Sequence, residues 1–229
     1  VKAAVLADIE ALVQPYTGSV ADRLALLESC SQLCVQQKLD FSSLLQGKAI
    51  ENHSVLYWAI ANGPWPPQAP FELVAAVLSH STPLTPETIR EARRACVSLR
   101  SQEMFHFLRM SPAFGALSTE DRLMLGAPAP PEEIVVEEMA GAAHPFSVRF
   151  RIPMFHKRRM LDRHISLQFI AQGRLFELEF FTAKNPEVKH LILGQWSGCL
   201  RMLENSLPTP LLFGLVILDA RPSPPTPTP

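Results

Sequence analysis

Gly126-Ala127-Pro128-Ala129-Pro130-Pro131 is the stretch that decides how this chain is divided. Its three prolines lack a backbone N–H and push the residues before them out of the helical region, so no helix continues through it. Residues 127–131 therefore read as a stiff Pro-rich linker, with an α-helical domain over 1–126 and an antiparallel β domain over 132–219. The expected class is α+β.

Downstream of the linker the apolar period is two. Ile134-Val135-Val136 is a short strand-like run between Glu132/Glu133 and Glu137/Glu138. Phe146, Val148, Phe150 and Ile152 alternate with Ser147, Arg149 and Arg151, the pattern of a half-buried strand. Ile165, Leu167, Phe169 and Ala171 repeat it and lead into Gln172-Gly173, where glycine can supply the positive φ of a tight hairpin. Phe176, Leu178 and Phe180 follow, and further strands are expected at 190–204 and 211–219. With no helical pattern between them, such strands point to a sandwich or a barrel.

Upstream the period is that of helices. Val5, Ile9, Leu12 and Val13 share one side of a run that Pro15 ends. Ser19-Val20-Ala21-Asp22 reads as a capping box opening a helix to about Gln37, with Leu24, Leu27 and Cys34 on its apolar stripe. Leu39, Phe41, Leu44 and Leu45 continue the apolar surface to Gly47.

The next segment carries a family likeness. Ser54-Val55-Leu56-Tyr57-Trp58-Ala59-Ile60-Ala61-Asn62-Gly63 resembles the opening of an ankyrin repeat, Thr-Pro-Leu-His-x-Ala ending in Gly. Glu72 to His80 is similar to the second helix of such a repeat, and Thr85-Pro86 opens a weaker echo: a helix over about 87–99, then a second over about 103–108. The pattern is degenerate. Pro64 to Pro70 is inserted between the helices, Tyr57 replaces the usual His, and Ser81 stands where the family has Gly. The resemblance implies stacked helix pairs with a concave protein-binding surface and no catalysis.

Composition narrows the function classes. A charged fraction of 19% and a hydrophobic fraction of 47% are those of a globular chain, and a net charge of −1 supplies no field that demands nucleic acid or membrane. The longest apolar run, Leu211 to Leu218, is strand-sized, too short to span a bilayer. The four cysteines are too few and scattered for a disulfide scaffold, and Cys30 and Cys34, one helical turn apart, read as buried reduced thiols. The opening at Val1 carries no signal-like segment, and the expected compartment is intracellular, cytoplasmic or nuclear. The tail over 220–229 is Pro-rich and reads as disordered or polyproline II.

Catalytic signatures are missing: there is no Gly-x-Ser-x-Gly elbow, phosphate-cradling loop or His-Glu-x-x-His, and the seven histidines show no ligand spacing. Neither a cofactor nor a metal is expected. The sharpest local feature is basic: Arg149, Arg151, Lys157, Arg158, Arg159 and Arg163 oppose Asp162 alone, for a local charge of +5. Lys157-Arg158-Arg159 is placed near the tip of a loop joining two strands. Such a cluster suits an acidic protein partner or a phosphate group; stacking aromatics are not interleaved with it, which disfavours nucleic acid. Trp65, between prolines, is a second candidate contact for a partner. The leading expectation is a non-enzymatic protein-interaction or scaffold module. The alternative is an enzyme or small-ligand binder with a site between the halves, and a third is weak phosphate or nucleic-acid binding through 149–164.

Overall fold

The computed structural model describes residues 2–14, 19–62, 71–115, 132–141, 145–162, 164–182, 196–203 and 212–217, with the backbone alone at 159–162. Helices fill the first part: α1 (Lys2–Val13), α2 (Val20–Gln36), α3 (Phe41–Gln46), α4 (Val55–Ala61), α5 (Glu72–Ser81), α6 (Pro86–Ser98), α7 (Gln102–Met110) and α8 (Pro112–Gly115). Strands β1 (Glu133–Glu138) and β2 (Phe146–Arg151), helix α9 (Phe155–Asp162), and strands β3 (His164–Ala171), β4 (Arg174–Thr182) and β5 (Trp196–Met202) follow. The α+β order is that expected from the change of period. The linker, Pro15, the 64–70 insertion and the 220–229 tail lie outside the described residues.

Short polar side chains start the helices. Ser19 and Asp22 form the reciprocal capping box: Asp22 N donates to Ser19 Oγ at 3.2 Å and Ser19 N donates to Asp22 Oδ2 at 3.0 Å. Asp40, Ser54, Thr85 and Ser101 cap α3, α4, α6 and α7 through a side-chain oxygen that accepts the backbone N–H three residues on, and Pro86 takes the first helical position, where a missing N–H costs nothing. The apolar stripes meet in one core. It holds Val5, Ile9 and Leu12 of α1, Leu56 and Ile60 of α4, Val74 and Val77 of α5, and Phe105 and Leu108 of α7.

Two polar devices lock this core. Gln46 donates through Nε2 to the carbonyls of Ser81 (2.7 Å) and Pro83 (3.0 Å), while its Oε1 accepts from Thr85 N at 2.7 Å. It stitches α3 to the turn between α5 and α6. Glu91, buried in α6, accepts the backbone N–H of Ser54 at 2.8 Å, with His53 Nδ1 3.3 Å and Lys48 Nζ 3.7 Å away. A carboxylate inside the helical stack is thus held by the turn that begins α4.

The strands form two antiparallel sheets, β1-β2 and β3-β4-β5. The β3–β4 register pairs Ala171 with Arg174, leaving Gln172-Gly173 as a two-residue turn with φ of 50° and 66°, as the Gln-Gly spacing predicts. Alternation sends Ile165, Leu167 and Phe169 into a second core shared with Ile134, Val148 and Phe150 of the smaller sheet. Near the hairpin tip both faces are covered: Ile170 and Leu175 point the other way and belong to the helical core. Helical and β parts therefore share packed side chains at this hairpin.

Two expectations are corrected. Helix α9 occupies 155–162, where a loop was expected between strands. Pro153 ends β2, Met154 turns the chain at φ 54°, and Phe155 packs on Phe180 while Arg158, three positions on, faces inward. Residues 212–217 form no strand, although 211–219 has a strand's composition.

Candidate functional site

The basic run does not form one exposed patch. Arg149 stands exposed on β2, and Arg151, on the same face, pairs with Glu133 at 3.1 Å in full contact with solvent. Lys157 is exposed on α9, whereas Arg158 is 7% exposed and pairs with Glu132 at 2.6 Å. Arg159 lies in α9; its side chain, with Arg163 and Trp65, falls outside the described residues. Arg158 thus leaves the proposed partner surface, because the helix turns it inward.

It joins a seam instead. Glu132, just before β1, bridges Arg158 to Arg109 of α7, whose Nη2 lies 3.4 Å from Glu132 Oε2 and whose Nη1 donates to the Gln168 carbonyl at 2.9 Å. Gln102 adds a second tie by accepting Ile170 N at 2.7 Å. Burial works to raise the Glu132 carboxyl, but the charge and hydrogen bond of Arg158, with Arg109 beyond, hold it below the ordinary carboxylate range. Burial and then the Arg109 charge push His106 down, favouring its neutral form. Two guanidiniums on one carboxylate clamp three elements.

A second network covers the outer face of the three-stranded sheet. Glu177 accepts from Ser166 Oγ at 2.5 Å, Gln168 Nε2 at 3.0 Å and Arg201 Nε at 2.7 Å, and these bonds outweigh the burial that would raise its carboxyl. Arg201 also reaches Glu179 at 2.8 Å, and His164 stands 3.2 Å from the same carboxylate. Arg201 thus faces both carboxylates, with His164 beside one of them. Three of the four thiols are core material: burial, with Asp8 and Cys34 behind it, pushes Cys30 up to about 11, and burial takes Cys96 to about 12. Among the described residues no three His, Cys, Asp or Glu side chains are grouped to hold a metal ion, and no helix is long and apolar enough to cross a membrane.

One open feature among the described residues is an apolar groove of about 520 Å³ between α5 and the α7–α8 corner. Ala75 and Leu78 form one wall, Phe107 and Met110 the other, and Pro112 with Ala113 closes one end. None of its lining side chains is charged, and Met110 is 45% exposed over it. No family model, curated protein or solved structure matches this chain. The groove escapes sequence reasoning because its walls are about thirty residues apart and each wall residue reads as ordinary helix core; an exposed Met at the last turn of an amphipathic helix is the one local signal.

Proposed function

We propose that this protein is a non-enzymatic interaction module that takes an apolar segment of a partner protein in the α5/α7 groove. The observation that carries this is the groove itself: open, uncharged and edged by a flexible exposed methionine, the residue type used by adaptable peptide-binding surfaces. The helical half reads as ankyrin-like pairs, α4 with α5 and α6 with α7. Supporting that, Ser54 and Thr85-Pro86 begin the first helix of each pair, and Thr85 Oγ1 meets Thr88 Oγ1 at 2.8 Å. Where the halves meet, Glu132 is paired with both Arg109 and Arg158, which supports a structural seam over an enzyme site at that junction. Arg149, Arg151 and Lys157 offer a second surface suited to acidic partners. Free cysteines, three buried and Cys199 exposed, support a reducing, intracellular setting.

The test is selection of peptides from a random display library, followed by calorimetric titration. Uncharged-core peptides are expected to bind with Kd on the order of 10 µM. Met110→Asp should weaken them at least about tenfold, because it places a charge against apolar anchors, while leaving the unfolding midpoint near that of the wild type. Peptides that bind both proteins equally, or no enrichment above background, would count against the groove.

A further inference from the structure

The three-stranded sheet is unfinished at one side. Among the described residues β5 pairs with β4 and no strand lies beyond it. The core is open there as well: Phe180, Leu200 and Met202 are only half-buried, whereas Leu167 and Phe169 on β3 are 0% and 1% exposed. From Ser197 to Met202 this edge has no neighbouring strand among the described residues, and such an edge accepts another strand.

The same chain carries a segment that fits it. Leu212-Phe213-Gly214-Leu215-Val216-Ile217 is uncharged, strand-like in composition and free of regular structure. Its large side chains stand in water, from 52% exposed at Leu215 to 84% at Ile217 and 104% at Leu212. Such a contiguous apolar stretch marks a contact surface. As a strand it would place Phe213, Leu215 and Ile217 on one face, continuing the layer of Phe180, Leu200 and Met202. Leu212, Gly214 and Val216 would then stand beside Cys199 and Arg201 on the other.

We propose that residues 212–217 of one copy add as a strand to the β5 edge of a second copy, and that the exchange is reciprocal, giving a two-fold dimer. Among the described residues 212–217 pairs with no strand and its side chains are exposed, and a reciprocal exchange completes both edges and covers both segments in one closed assembly. This surface is separate from the α5/α7 groove, so the two readings stand or fall independently.

Light scattering and sedimentation of the full chain test it. The wild type should run at twice the 25.4 kDa chain mass between about 1 and 100 µM. Leu215→Pro and Val216→Pro, made separately, remove N–H groups that point to opposite sides of the strand, so one of the two loses a ladder donor and should give a folded monomer with unchanged circular dichroism. Cysteine at 212, 214 or 216 should form a disulfide with Cys199 of the other copy on mild oxidation; an added Cβ at Gly214 meets nothing within 4 Å. The other cysteines are buried, so they do not compete. A monomeric wild type, a dimer that both proline variants leave intact, a dimer without the disulfide, or a disulfide closed within one chain would each overturn the proposal.

Discussion

Glu132→Ala is expected to destabilise the fold by about 3–5 kcal/mol, the cost of leaving buried guanidiniums without their carboxylate. Arg158 is 7% exposed and loses its 2.6 Å partner; Arg109 keeps the Gln168 carbonyl but sits near a second uncompensated cation. The measurement is a shift of the urea midpoint at unchanged slope. Arg151→Ala serves as the control, since its pair with Glu133 is exposed and is worth at most about 1 kcal/mol. The seam also sets an acid limit. Because the Glu132 carboxyl is held below its ordinary value, its contribution is complete above the unfolded-state value, about 4.3, and is lost as pH falls through the lower folded value. Stability of the wild type should therefore fall on acidification below about pH 4, and that of Glu132→Ala should fall less. Equal midpoints for the two proteins at pH 7 would contradict the clamp.

Phe169→Ala is the second large effect, at about 3–5 kcal/mol. Phe169 is 1% exposed, stacks on Phe176 at 5.4 Å, meets Phe150 edge-on at 5.4 Å and lies 6.3 Å from Phe146. It joins the two sheets, so its loss empties the centre of the β core, and aromatic pair geometry adds to the burial term. Against a domain stability of roughly 5–15 kcal/mol, the variant should melt many degrees lower and lose near-ultraviolet dichroism early. Phe169→Leu should recover most of the loss, because shape rather than chemistry is at stake. A loss below about 1 kcal/mol for the alanine variant would mean the sheets are not joined there.

Local chemistry announced much of this fold. Ser19 with Asp22, and Thr85 with Pro86, name helix starts because a capping oxygen works within three residues. Phe146 to Ile152 and Ile165 to Phe180 name strands because period two places one face inward. Gln172-Gly173 names its turn through positive φ. What sequence reasoning missed depends on distance. Gln46 acts on carbonyls 35 and 37 residues away, and Glu132 meets Arg109 and Arg158 from two other elements. Lys157-Arg158-Arg159 reads as a solvated loop because three adjacent cations mask the helical spacing of Phe155 and Arg158. The 212–217 run reads as a strand by composition, yet a strand also needs a neighbour to supply hydrogen bonds, and within one described chain it has none.

Methyl-labelled methionine tests directly the proposed binding of partner segments between α5 and α7. The chain has seven methionines, with Met110 45% exposed at the groove and Met104 1% exposed in the same helix. During titration with a selected peptide, the Met110 methyl resonance should move first and furthest while Met104 stays nearly still. Saturation of binding with Met110 unmoved would contradict the claim.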